Sequence, residues 1–209
     1  MTIQSAYNNW AEIYDSNQNK TRDLESIVKK KVLQDLQFNS CLEIGCGTGK
    51  NTNYLLQKSK TLVAVDFSEN MLAKAKEKKE LQDVKFIQAD INKDWNFIQQ
   101  QFDLITFSLV LEHIKNVEHI FKEANKALTN EGLIYIGELH PFKQYLGSKA
   151  RFETENGVEF IDCYTHNFSE FYNLGLENNF SLIRVEEFFD EENPETVPRI
   201  LSLLFKKNN

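Results

Sequence analysis

From Ser40 onward, short apolar runs alternate with amphipathic stretches, and this alternation leaves the chain few folds to choose from. Residues 41–44, 62–65, 84–87, 102–109 and 133–136 are rich in Val, Ile, Leu and Phe and read as strands. Between them, residues 50–58, 69–79, 94–100 and 117–128 repeat apolar side chains every three or four positions, the spacing of helices packed on one face. A strand that is apolar throughout needs cover on both faces, and the intervening helices supply it. The expectation is a doubly wound α/β fold with a mostly parallel sheet.

Near the end the pattern changes. Residues 180–188 and 199–205 are two extended stretches joined by residues 190–198, which hold two prolines and no helical signal. They read as a hairpin-like pair, which gives a seven-stranded sheet with one antiparallel strand and helices on both faces. The first 39 residues precede the first strand, with a helix pattern at 24–36 and aromatic residues Tyr7, Trp10 and Tyr14. No repeat or low-complexity tract interrupts residues 1–209, so one domain is expected. A chain this long buries roughly 70% of its unfolded surface and needs no disulfide or metal staple.

Composition narrows the functional classes. Cys41, Cys46 and Cys163 are odd in number and lack metal-type spacing, so they read as buried or incidental thiols with no metal. A formal net charge of −7 sets an unfavourable field for nucleic acid. The N-terminus has no basic start followed by an apolar stretch, and no run reaches the length of a membrane span. A soluble cytoplasmic protein, monomer or homodimer, is the expectation.

In Glu43-Ile44-Gly45-Cys46-Gly47-Thr48-Gly49 a strand runs into three glycines at alternate positions, and a helical pattern begins near Lys50. Glycines reach positive φ and let a ligand approach the backbone, while free N–H groups at a helix start favour an anionic or carboxylate-bearing partner. Such a turn either holds a nucleotide-like cofactor or is a tight connection. A dinucleotide loop reads G-x-G-x-x-G, and here the third glycine comes one residue early. Asp66 ends the second strand 17 positions after Gly49, where a carboxylate accepts from both ribose hydroxyls. Its alternative role is a helix N-cap, for which Ser68 competes. Asp90 closes the third strand as a second acceptor on the same sheet edge, or as a cap.

The order Glu-x-Gly-x-Gly-x-Gly, strand-end Asp66, strand-end Asp90 and Phe102-Asp103-Leu104-Ile105-Thr106-Phe107-Ser108 resembles the class I S-adenosylmethionine (SAM)-dependent methyltransferase family, most closely over residues 40–138. The resemblance implies a Rossmann-like sheet, with SAM as methyl donor and S-adenosylhomocysteine as product. It places Gly45, Gly47 and Gly49 along the methionine moiety, with Glu43 and Cys46 in the same cofactor-binding motif. It also implies Asp66 at the ribose, Asp90 and Ile91 at the adenine with Phe67 and Met71 packed on it, and Ser108 and Leu109 as the floor. The aromatic opening is similar to the lid of small-molecule members. Residues 1–39 then form a helical lid with Tyr14 over the cofactor, or an amphipathic helix packed on the sheet.

Members that methylate nucleic-acid bases resemble one another in an Asn/Asp-Pro-Pro-aromatic sequence after the fourth strand. Here Ser108-Leu109-Val110-Leu111-Glu112-His113 has no proline, and its Leu-Glu-His is similar to the small-molecule, methyltransferase type 11-like branch. That implies a small-molecule methyl acceptor, with His113 shaping the cofactor pocket or moving a proton. His119, on a mixed helix face, reads as a surface residue. Residues 140–166 exceed the roughly two to six residues usual for such a connection. Within them Asn156-Gly157 is flanked by alternating residues, a hairpin signal. The expectation is a flap over the active site, with His140 as the candidate base and Tyr145, Arg151, Tyr164 and His166 around the acceptor. Arg151 suits a carboxylate. Two other readings stay open, a nicotinamide-dependent oxidoreductase and a noncatalytic SAM-binding module.

Overall fold

The computed structural model describes the backbone of residues 2–154 and 157–209, and the side chains of these except 151–154 and 157–159. The five apolar runs form β1 (Ser40–Ile44), β2 (Thr61–Asp66), β3 (Lys85–Gln88), β4 (Phe102–Ser108) and β5 (Leu128–Leu139). These are parallel neighbours in the order β3-β2-β1-β4-β5. A separate hairpin pairs β6 (Arg151–Thr154) with β7 (Gly157–Phe160), as the flap pattern predicts, although Asn156 of its turn lies outside the described residues. β8 (Phe180–Phe188) and β9 (Ile200–Lys207) complete the main sheet, with β9 antiparallel to both β5 and β8. The expected seven strands with one antiparallel member are all present.

Alternate residues of the strands enter two different cores. On one face Leu42, Val63, Ile105 and Ile134 pack with Ile120 and Phe121 of α5 (Val117–Ala127) and Phe171 of α7 (Phe168–Glu177). On the other face Cys41, Leu62, Ala64 and Tyr135 meet three helices. These are α2 (Lys20–Leu33) through Val28 and Val32, α3 (Thr52–Lys58) through Leu55, and α4 (Glu69–Glu77) through Leu72. Strand side chains alternate sides, so each face needs its own helical layer. A third, smaller cluster joins Ala6 and Trp10 of α1 (Ile3–Trp10) to Met71 and Ile161.

Residues 94–100, expected as a helix, form turns. Trp95 is the cause. Its backbone N–H donates to Glu123 Oε2 at 2.8 Å, its indole Nε1 donates to the Ile91 carbonyl at 3.2 Å, and its ring is buried near Phe107. A seven-residue helix is marginal in water, and this anchoring overrides its periodicity. A short helix that the pattern did not announce, α6 (Pro141–Tyr145), follows β5. Among the described residues no helix is long and apolar enough to cross a membrane.

Candidate active site

The carboxyl ends of β1 to β4 converge on one edge, and each chain exit is built differently. After β1 the backbone turns through Gly45, Gly47 and Gly49 at φ of +71°, +54° and +81°. A Cβ on Gly45 would stand 2.1 Å from Val110 Cγ2, and one on Gly49 2.6 Å from Leu81 Cδ1, so packing demands both glycines. At Gly47 an added Cβ would meet only Tyr14 Cε1, at 3.9 Å. That side of the loop is open to a ligand. Asp66 holds the loop: Oδ2 accepts from the Gly47 N–H at 2.7 Å and Oδ1 from the Ser68 N–H at 2.8 Å. Burial raises its carboxyl above the ordinary range, against the pull of these N–H donors. Ser68, not Asp66, caps α4, accepting from the Met71 N–H at 3.1 Å. Asp90 folds back onto Asn92, accepting from its N–H and its Nδ2, each at 3.1 Å.

β4 exits through Leu109, held in the left-handed region at φ 56°, an uncommon conformation for a branched side chain. The following residues hang on buried Glu138 at the end of β5, whose Oε1 accepts from the Val110 and Leu111 N–H groups at 2.9 and 2.8 Å. Burial, with the charge of Glu112 added, pushes the Glu138 carboxyl up to about 8. Glu112 is raised too, again by burial.

These ends and α1 enclose a pocket of about 810 Å³ including its mouth. Tyr14, Gly45, Gly47, Asp66, Phe67, Met71, Asp90, Ile91, Ser108, Leu109 and His113 all line it. Three expected residues do not. Glu43 is buried under the loop, accepting from Thr52 Oγ1 at 2.6 Å and lying 4.0 Å from Lys29 Nζ. Cys46 points into the core beneath the sheet edge, and Gly49 faces Leu81. The alternate-glycine motif thus divides between residues at the pocket and residues that support it.

The N-terminal segment, which lines this pocket with Ile3, Gln4, Tyr7 and Tyr14, is held by polar ties. Gln4 Nε2 donates to the Phe67 carbonyl at 3.0 Å, Ser68 Oγ to Asn8 Oδ1 at 2.6 Å, and Thr48 Oγ1 to Asp15 Oδ1 at 2.5 Å. Tyr7, which the sequence marked only as part of an aromatic opening, sits at the centre. Its hydroxyl lies 2.8 Å from His113 Nε2, and His113 Nδ1 lies 3.1 Å from the Asp162 carbonyl. A carbonyl only accepts, so Nδ1 carries the proton and Nε2 accepts from the Tyr7 hydroxyl. Burial keeps that hydroxyl well above its ordinary range and therefore protonated. A second, more polar pocket adjoins the first, sharing Tyr7, Tyr14 and Leu109 with it. Its other walls include Arg22, Glu112, Lys149, Ala150, Phe160 and Arg199.

Known proteins match this architecture. A family model described as a methyltransferase domain matches residues 42–136. An uncharacterized methyltransferase of Staphylococcus carnosus is 32% identical over 184 residues, 83% of this chain and 80% of that protein. The chain belongs to the SAM-dependent methyltransferase family. A ubiquinone biosynthesis O-methyltransferase of Pelagibacter ubique is 25% identical over 179 residues, 76% of this chain and 72% of that one. The chain spans 60% of the length of two other curated relatives, both malonyl-[acyl-carrier protein] O-methyltransferases. The crystal structure of a SAM-dependent methyltransferase from Clostridium acetobutylicum aligns with a TM-score of 0.71 at 21% identity, covering 98% of this chain and 100% of that chain. The fold likeness therefore extends well beyond residues 42–136. Membership in this family decides against the nicotinamide-dependent reading.

Of the residues expected around the acceptor, none with a described side chain lines either of the two adjoining pockets. His140 Nδ1 accepts from the Phe142 N–H at 3.2 Å, capping α6, so Nε2 is the protonated nitrogen and faces Glu187 Oε1 at 2.9 Å. Its one lone pair is already engaged, and it lines a third pocket with Phe142, Phe168 and Glu187. Tyr145 is exposed, with its hydroxyl bonded to Asn167. Tyr164 lines neither adjoining pocket, and its N–H donates to the Glu112 carbonyl at 2.7 Å. His166 is buried between the Ile114 carbonyl at 2.8 Å and Glu170 Oε1 at 3.0 Å, fastening the segment to the turn after β4. The Arg151 side chain lies outside the described residues. His119 is half-buried, beside Asp94 and Glu123, rather than on the open surface. Nearness to a strand end in sequence did not set the direction in which these side chains point.

Proposed function

We propose that this methyltransferase transfers the methyl group of SAM to a small-molecule acceptor seated in the second pocket. The observation that carries the reading is the meeting of two chemically different pockets at Tyr7, Tyr14 and Leu109. In-line displacement needs the acceptor atom and the leaving sulfur on opposite sides of the methyl carbon, which two adjoining compartments allow.

The first pocket fits SAM residue by residue. Gly47 leaves room for the methionine part, and the Asp66 oxygens, with about four lone-pair sites between them, keep capacity for ribose hydroxyls beyond the backbone N–H groups they accept. Phe67, Met71 and Ile91 offer apolar contact to adenine, with Asp90 and Asn92 beside them as polar partners. SAM, when bound, supplies a methyl group on a positively charged sulfur, already a good leaving group. The protein's part is alignment, exclusion of water and removal of the acceptor's proton. Tyr7 and His113 serve the last task. The Tyr7 oxygen accepts the acceptor's proton while its own passes to His113 Nε2, and Glu112 Oε1, 3.9 Å from Nε2, favours the resulting imidazolium.

The reading includes residues 1–39 as a lid, supported by the ties of Gln4, Asn8 and Asp15, and residues 140–166 as a flap whose base, Ala150 and Phe160, reaches the second pocket. It also includes a single domain, monomer or homodimer, in the cytoplasm, with nucleic acid disfavoured by the net charge of −7. The experiment is calorimetric titration with SAM, then transfer of radiolabelled methyl to metabolite fractions. SAM should bind and label should enter a small molecule. Failure to bind SAM, or label confined to nucleic acid, would overturn the reading.

A further inference from the structure

His119 and Glu123 stand about one turn apart on α5, a spacing that sets two side chains next to each other on one helix face. Asp94, from the turns that follow β3, meets them there. One ligand atom from each of the three lies within 4.8 Å of the other two. The group runs from core to water, with Glu123 only 6% exposed, His119 half-buried and Asp94 exposed.

Glu123 is fixed by two donors. Its Oε2 accepts from the Trp95 N–H at 2.8 Å and its Oε1 from Lys126 Nζ at 2.5 Å. Burial raises the Glu123 carboxyl, but these donors outweigh burial and hold it below the ordinary range, so it is ionised. The imidazole beside it is incomplete: His119 Nε2 is buried and has no hydrogen-bond partner. A buried polar nitrogen in that state is unfavourable and calls for a partner.

One imidazole and two carboxylates form a mixed nitrogen and oxygen donor set, which suits a zinc-type cation better than magnesium or calcium with their all-oxygen shells. Bonds of about 2.1 Å to one ion place tetrahedral ligands about 3.4 Å apart, so the three groups must close in by roughly 1 Å. Exposed Asp94 has room to do so, and the Lys126 side chain, 71% exposed, can leave Glu123 Oε1 to the ion.

We propose that Asp94, His119 and Glu123 bind one divalent transition-metal ion of the zinc type, with water completing its shell. The ion ties the segment after β3, whose Asp90, Ile91 and Asn92 line the first pocket, to α5. It acts as a clamp on one wall of that pocket and takes no part in methyl transfer.

The test is calorimetric titration of the full chain, after dialysis against a chelator, with zinc chloride and with magnesium chloride. Zinc should bind with a Kd on the order of 10 μM or lower, and magnesium at least about 100-fold more weakly. His119→Ala and Asp94→Ala should each weaken zinc roughly tenfold or more. Asp94 is exposed, so its variant keeps the test intact if His119→Ala does not fold. Lys126→Met removes a competing cation and should tighten zinc by about threefold, a direction that general damage to the fold would not produce. No zinc binding below about 1 mM by the unaltered protein would overturn the proposal. So would magnesium binding as tight as zinc, or zinc affinity kept within about twofold in Asp94→Ala or in a folded His119→Ala.

Discussion

The two adjoining pockets are built from different materials. The first is assembled at the ends of parallel strands, from residues whose positions follow the strand spacing: Gly45 and Gly47 after β1, Asp66 after β2, Asp90 after β3, Ser108 and Leu109 after β4. The second draws on residues 7–22, 109–112, 139–150, Phe160 and Arg199, which no local pattern connects. A sheet edge brings its own strand ends together by hydrogen bonding and register. The segments that line the second pocket, far apart in the chain, meet only through tertiary packing.

The harshest way to break this contrast is to fill the framework side. Gly45→Ala adds a Cβ at 2.1 Å from Val110 Cγ2 and at φ +71°, and should cost about 3 kcal/mol in thermal or denaturant unfolding. Gly147→Ala, at φ +93° with nothing within 4 Å, should cost only about 1 kcal/mol. Equal losses would mean that backbone strain, not packing against the turn after β4, sets the need for Gly45.

Asp66→Ala removes an acceptor of the Gly47 and Ser68 N–H groups together with the proposed ribose contact, and should weaken SAM binding by about 100-fold in calorimetry. A loss under about threefold would remove Asp66 from the cofactor site. Glu138 tests the turn after β4, whose Val110 and Leu111 N–H groups it accepts. Its folded carboxyl, raised to about 8, lies above its ordinary value, so its contribution to stability is fully present at acid pH and is lost as pH climbs from about 4.5 through 8. Glu138→Gln should therefore match the parent near pH 4 and exceed it by a few kcal/mol above pH 8, as followed by melting across pH. A constant difference at every pH would show that Glu138 does not titrate in that window.

Smaller effects sharpen the boundary. Tyr7→Phe leaves His113 Nε2 without its donor, which should cost about 1 kcal/mol in stability and lower kcat about tenfold with little change in SAM affinity. His140→Ala should be the mildest, under about 1 kcal/mol from loss of the α6 cap, with turnover within twofold. A large fall in turnover for His140→Ala alone would return the base to the flap.

The alternating apolar runs made the sheet legible because period and flanking turns are local properties of the chain. They also placed Asp66, Asp90 and Gly47 along the first pocket, since a parallel strand delivers its last residues to the carboxyl edge whatever surrounds it. The segment 94–100 misled because one buried Trp95 outweighed a helical period. His140 and His166 misled because a histidine's ring direction depends on partners distant in sequence, Glu187 for one and Ile114 for the other. Arg22 carried no sequence signal: it is one of two cations, with Lys20, in the first turn of α2.

By itself the sequence determined the doubly wound sheet, the glycine turn and the acidic strand ends, because hydrophobic period and glycine conformation act over a few residues. Only the tertiary structure decided that Tyr7 meets His113, that His140 faces Glu187, and that Arg22 lies buried against Tyr14. These depend on how the N-terminal segment and β8 pack against the sheet edge, where side-chain direction is set by partners on other elements, far away in the chain.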